Sequence, residues 1–178
     1  MKINKTYFSD VYHFDLEPVE DNRGNFTRFF CKKTLRSLGI NFKPKQASFA
    51  TNIEKHTLRG MHFQLHPNSE QKIISCLRGS IWDVVIDIRK NSQNYSKWFA
   101  IELSEKKQNV LYVPRGFAHG YLTLTPNTHI IYIMDEYYNS KYSRGINWND
   151  ALIDIKWPTL PSKISSRDKN LPSLSKIW

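Results

Sequence analysis

An arginine, a glycine and a histidine stand together in Leu58-Arg59-Gly60-Met61-His62-Phe63-Gln64, and Lys72 follows ten positions after the histidine. In an extended chain successive side chains alternate faces, so Gly60, His62 and Gln64 are expected on one face and Met61 and Phe63 on the other. A histidine with an arginine at its strand's entry fills a core poorly. It suits a wet, chemically active cavity, because imidazole titrates near neutrality and serves as acid or base. A buried, hydrogen-bonded histidine with a purely structural role is the competing reading. A second cluster is Val113-Pro114-Arg115-Gly116-Phe117-Ala118-His119-Gly120-Tyr121, in which Pro114 and Gly116 make a tight turn and His119 opens a strand. A third is Tyr132-Ile133-Met134-Asp135-Glu136-Tyr137-Tyr138, and a fourth is Ser165-Ser166-Arg167-Asp168 in the tail.

The elements that must position these residues read mostly as strands. With 13% aromatic residues spread along 178 positions, the composition leans towards sheet. Within residues 81–88, Trp82, Val84, Ile86 and Ile88 alternate with Asp83, Val85 and Asp87. Short strands are expected at 26–30, 45–51, 73–77, 98–103, 109–113, 118–124 and 130–138, with one or two more in residues 1–20. Thr34 to Leu38, closed by Gly39, reads as one or two helical turns. Strands at this spacing without helical periods between them predict an all-β fold, a cupin-like jelly-roll β-barrel with short peripheral helices. One domain over residues 1–178 is expected, with a polar, proline-bearing cap from about residue 139 anchored by Trp148, Trp157 and Trp178.

Composition narrows the function classes. The net charge of +10 is dispersed, with no block of like charges and no basic helix, so nucleic acid is not the expected partner. No apolar run approaches a membrane span, and the polar start lacks a leader's apolar stretch. Cys31 and Cys76 form no metal or redox motif, and a cytoplasmic location is the expectation.

In order and spacing these stretches resemble the dTDP-4-dehydrorhamnose 3,5-epimerase family, nucleotide-sugar epimerases of the cupin type. The resemblance runs from about Asp21 to about Leu174 and takes in Asp21-Asn22-Arg23-Gly24, the His62 stretch, Gln71-Lys72, residues 83–89, Gly116-Phe117-Ala118-His119-Gly120 and Trp148-Asn149-Asp150. It implies inversion at C3, C5 or both of a nucleotide-diphosphate-linked 4-keto-6-deoxysugar, with no metal and no cofactor. A proton beside a ketone is weakly acidic, so its removal needs a positioned base and a stabilised oxyanion, and inversion needs a second acid on the far side. The resemblance makes His62 the base, Asp168 its orienting partner, Lys72 the cation at the C4 enolate oxygen and Tyr132 the acid. It puts Arg23, Phe26, Arg28, Gln46, Ser48, Arg59, His119, Tyr138, Ser143 and Arg167 around the substrate, the arginines suiting phosphate because guanidinium bonds its oxygens in pairs. It also implies a homodimer in which residues 23–28 reach the neighbouring subunit's pocket.

Three positions depart from the family's habit. Arg28 and Ser143 stand where glutamate is usual, and Ser48 where asparagine is usual. A guanidinium in place of a carboxylate reverses the donor pattern offered to a base or ribose. A CDP- or GDP-linked sugar, or inversion at a single carbon, is therefore the alternative reading. Two rivals come from other classes. A metal-dependent cupin enzyme could use His62, Glu70 and His119, although Gln64 stands where a second histidine is customary and Lys72 would repel a cation. A non-catalytic sugar-binding module would not need His62, Lys72, Tyr132 and Asp168 together.

Overall fold

The computed structural model describes residues 1–177, so Trp178, expected as an anchor, lies outside the described residues. The chain opens with β1 (Lys2–Lys5), β2 (Tyr12–Asp15) and a hairpin of β3 (Val19–Asp21) and β4 (Gly24–Phe26). Helix α1 (Lys32–Ser37) precedes β5 (Gln46–Asn52) and β6 (Thr57–Gln64). There follow β7 (Lys72–Arg78), β8 (Ser80–Asp87), β9 (Trp98–Ser104), β10 (Asn109–Val113), β11 (Phe117–Thr123) and β12 (Thr128–Met134). The tail adds β13 (Ser143–Gly145), β14 (Lys163–Ile164), α2 (Ser166–Lys169) and a 3-10 turn over Leu174–Lys176.

Two antiparallel sheets carry the molecule, in the orders β1-β2-β10-β7-β12-β5 and β13-β6-β11-β8-β9, with β14 also joined to β6. Neither sheet closes on itself, which corrects the expectation of a jelly-roll barrel. A closed barrel needs every edge strand hydrogen-bonded to another, whereas among the described residues β1, β5 and β9 each pair with a strand on one side only. The sheets meet instead through side chains: Ile74, Leu111 and Ile130 from the first pack with Ile81, Val85, Leu103 and Tyr121 from the second. The arrangement is a two-sheet, cupin-like sandwich with short helices.

Alternation in β8 has a consequence that the sequence leaves open. Ile81 and Val85 face the first sheet, while Val84, Ile86 and Ile88 face away from it and are covered by Ile146, Ile153, Ile155 and Leu174 of the tail. Both faces are therefore buried, and Asp83 and Asp87 are fully buried with them. The tail also supplies strands: β13 pairs antiparallel and β14 parallel with β6. Trp157 packs on this outer cluster and its Nε1 donates to the Trp148 carbonyl at 2.9 Å. The strand expected at 26–30 ends at Phe26, and the one expected to reach residue 138 stops at Met134. Among the described residues, no helix is long and apolar enough to cross a membrane.

Candidate active site

Strands β6 and β11 lie side by side, and the pairing sets His119 opposite His62 and Tyr121 opposite Arg59 with a register irregularity between them. Gly60 permits this. Its φ of +122° is a conformation that L side chains rarely adopt, and a Cβ there would sit 2.5 Å from Gly120 Cα. Strict alternation would send Arg59 to the face of Met61. The irregular step at Gly60 breaks that parity, and Arg59 and His62 line one cavity of about 540 Å³ with Lys72, His119 and Tyr132. A second cavity of about 290 Å³ shares His62, Lys72, Tyr132 and Arg167 with the first and extends past Gln46, Ser48, Tyr138 and Ser143.

The His62 imidazole Nε2 lies 2.8 Å from Asp168 Oδ1, and the Gly60 backbone N–H donates to Asp168 Oδ2 at 3.1 Å. Ser165 caps α2, its Oγ accepting from the Asp168 N–H, so the short helix fixes where the carboxylate points. Burial alone would raise the Asp168 pKa, but the hydrogen bond and charge of His62 and the Gly60 N–H outweigh it and hold the carboxyl below its ordinary value. A carboxylate only accepts, so Nε2 carries the hydrogen and Nδ1 is the basic nitrogen of the neutral ring.

Lys72 opens β7, and its Nζ lies 3.0 Å from Glu70 Oε1. The backbone there is clamped, since Asp135 accepts from the Gln71 N–H at 2.7 Å and from Gln71 Nε2 at 2.6 Å. Gln64, buried at the end of β6, donates to Glu70 and to the Tyr137 carbonyl and accepts from the Asn139 N–H, tying the loop after β12 to the cavity. His119 Nε2 meets Asp83 Oδ2 at 2.9 Å, a pair shut inside the sandwich; burial raises the Asp83 pKa despite the opposing charge of His119. Tyr132, in edge-to-face contact with His119 at 6.2 Å, has its phenol pKa pushed well above the usual value by burial, then by neighbouring Tyr121 and Asp83. It therefore holds its proton at neutral pH.

A pocket with an oriented base, a cation and a protonated phenol matches what carbon-acid chemistry requires, and comparison with known proteins agrees with the geometry. The model of the dTDP-4-dehydrorhamnose 3,5-epimerase family matches residues 5–176. The chain belongs to that family. The family's enzyme from Sinorhizobium fredii is 37% identical over 99% of this chain and 93% of its own length. A crystal structure of the Bacillus anthracis enzyme with TDP and pyrophosphate bound superposes with a TM-score of 0.93 at 38% identity, covering 97% of this chain and 98% of that one. The Legionella pneumophila enzyme in complex with dTDP-4-keto-L-rhamnose gives 0.93 at 29% identity, covering 99% and 94%.

For a 3,5-epimerase family member, the structure gathers His62, Lys72, Tyr132, Asp168, Arg59, His119, Gln46, Ser48, Tyr138, Ser143 and Arg167 around the two joined cavities. It does not gather Arg23, Phe26 and Arg28. Arg23 and Phe26 line a separate surface hollow on the exposed β3–β4 hairpin, where Arg23 pairs with Asp21, and Arg28 is exposed beyond it. The three residues weighed as metal ligands are committed elsewhere: His62 to Asp168, Glu70 to Lys72 and Gln64, His119 to Asp83. Among the described residues no three His, Cys, Asp or Glu side chains converge on a metal position. Sequence reasoning passed over Tyr121 and Lys163 at the cavity, Asn52 behind Arg59 and Tyr121, and Asp83 behind His119; the Asp83 alternation in β8 was the available signal, whereas Asn52 and Tyr121 gave none.

Proposed function

We propose that His62, Lys72, Tyr132 and Asp168 carry out the epimerisation and that the joined cavities hold a nucleotide-linked sugar. The chain is a nucleotide-sugar epimerase that inverts carbons beside the keto group of a 4-keto-6-deoxysugar. In this reading the whole chain works as one epimerase domain. His62 Nδ1 takes the proton from C3 or C5, while Asp168 holds the ring and stabilises the imidazolium that forms. Lys72 stabilises the enolate oxygen at C4, shifting its ion pair from Glu70 towards the new charge. Tyr132 gives its proton to the opposite face of the carbon, completing the inversion. Arg59 and Arg167 hold the diphosphate or sugar. The observation that carries the reading is that the His62–Asp168 pair, Lys72 and Tyr132 line one cavity.

By likeness to the structures with TDP and with dTDP-4-keto-L-rhamnose, the first substrate to try is the dTDP-linked sugar. A second reading has one observation in its favour. Ser48 and Ser143 leave the second cavity without the side chains customary there, and the Arg167 guanidinium meets the Ser143 hydroxyl at 2.9 Å instead of a carboxylate. A different nucleotide, CDP or GDP, fits that change. Turnover of dTDP-, CDP- and GDP-linked 4-keto-6-deoxyglucose in deuterated buffer tests both. Deuterium is expected at C3, C5 or both of inverted product from at least one of them. Full activity on the dTDP sugar with none on the others removes the second reading, and no deuterium uptake from any of them removes the enzyme assignment.

We also infer a homodimer, supported by family likeness and by the hairpin geometry. Val19 is 70% and Phe26 74% exposed on a β3–β4 ribbon that lines a surface hollow of its own and contributes nothing to the two joined cavities. Arg23, Phe26 and Arg28 then serve the partner's pocket.

A further inference from the structure

Tyr121 lies among the reacting groups, yet the steps above give it no part. It is 2% exposed and lines the same cavity as His62 and Tyr132. Its hydroxyl donates to Asn52 Oδ1 at 3.2 Å, and Arg59 Nε donates to that same oxygen at 2.9 Å. A guanidinium only donates, so the Asn52 atom it meets is the carbonyl oxygen, and the single Tyr121 proton is thereby committed. Tyr132 packs on the cluster that contains Tyr121 and lines the same cavity, so the two phenols are neighbours. With its own proton directed at Asn52, Tyr121 has an acceptor oxygen to offer the Tyr132 O–H. The Arg59 charge stands at the far end, beyond Asn52.

A phenylalanine at 121 would fill the same apolar space, because the ring packs among Ile81, Val85 and Leu111 between the sheets. The buried hydroxyl is a cost unless it is bonded, and its bond to Asn52 leads on to Arg59 at the cavity. We propose that Tyr121 is a positioning residue for the acid step, holding the Tyr132 hydroxyl in place and then stabilising the phenolate that remains when the proton moves to carbon. This rests on the epimerase reading above. The step balances without a co-reactant. The Tyr132 O–H bond breaks and its electron pair stays on oxygen, while the new C–H bond takes its electrons from the enolate. Tyr121 breaks no bond; its O–H turns from Asn52 to the Tyr132 oxygen, and Arg59 remains as donor to Asn52. Tyr132 recovers a proton from water when product leaves, and His62 releases its own.

Tyr121→Phe tests the proposal, since it deletes one oxygen and keeps the ring. The assay is run in deuterated buffer with whichever nucleotide-linked 4-keto-6-deoxysugar the wild-type chain turns over. It reads two rates: deuterium entering sugar of unchanged configuration, and formation of inverted product. In Y121F, His62 still forms the enolate and hands a proton back to the face it came from. Its side chain is 34% exposed, so that proton exchanges with solvent first. Inversion is expected to fall about tenfold or more, the share of a hydrogen bond to a charged oxygen, with deuterium uptake into uninverted sugar falling much less. Both rates falling in equal proportion, or inversion unchanged, in a variant melting with the wild type overturns the proposal. Difluorotyrosine at 121 keeps the shape and strengthens the donor, so it should hold the wild-type ratio of the two rates; a ratio raised as in Y121F also overturns it. A wild-type chain that exchanges nothing instead removes the epimerase reading itself.

Discussion

His62 owes its usefulness to a residue 106 positions away. Asp168 accepts at Nε2 and so decides which nitrogen is basic, and Ser165 and the Gly60 N–H hold the carboxylate in turn. The same arrangement links the site to stability. The folded pKa of Asp168 lies below its unfolded value of 3.8, so the stability it adds is complete above that value and is lost as pH falls through the folded pKa. Asp168→Asn should therefore unfold about 1–3 kcal/mol more easily at neutral pH, and the difference should shrink in acid. Denaturant titrations at several pH values measure this; a gap that stays constant into acid would show that the pairing does not stabilise the fold. The amide also presents an N–H where Nε2–H now donates, so turnover should fall about 100-fold or more.

Between elements, the decisive contact is the close approach of β6 and β11. A Cβ on Gly60 would meet Gly120 Cα at 2.5 Å and the His119 carbonyl at 2.9 Å, and one on Gly120 would meet the Arg59 carbonyl at 2.8 Å. These obstacles are backbone atoms, which cannot swing aside as a side chain can. Gly60→Ala is expected to cost about 3 kcal/mol or more through strain and forced separation of the strands. It should also remove activity, because His62, Arg59, His119 and Tyr121 all hang on that pair of strands. Thermal denaturation beside the deuterium assay checks it: a variant that melts like the wild type would mean the strands have room to part. Strand β7 contributes Lys72 with equal constraint, its entry held by Asp135 through two bonds to Gln71 and by the Arg115–Asp135 pair at 2.6 Å.

At the scale of the molecule, the cleft of one chain lacks the residues of the β3–β4 hairpin, and this governs the last prediction. If the hairpin serves the neighbouring subunit, a mixed dimer of Arg23→Ala and His62→Ala chains contains one site with both residues intact. Each variant alone should lose activity, about 100-fold or more for the base, and mixing after dissociation and reassociation should restore a fraction of the wild-type rate. No recovery in a mixture shown to exchange subunits would place the hairpin in its own chain's service. The net charge of +10 bears on the same scale, since a basic molecule draws a nucleotide diphosphate towards its cleft and does so less at high salt.

Much of the site could be read from the chain alone, for a physical reason. Strand alternation and turn chemistry are local, and they marked β6, β8 and β11 and the residues that stand at fixed spacing on them. It was the family resemblance that singled out His62, Lys72, Tyr132 and Asp168 together, and the fold sets all four on one cavity. Three matters were left to tertiary structure. Closure of a barrel depends on whether edge strands find hydrogen-bonding partners, which no local pattern encodes, and here they do not. The parity of Arg59 and His62 depends on a glycine step allowed by another glycine across the sheet. The Tyr121–Asn52–Arg59 chain joins strands β11, β5 and β6 beside Tyr132 of β12. Bonds between groups so far apart in sequence exist only after the sheets have brought them together, and burial then makes each of them matter.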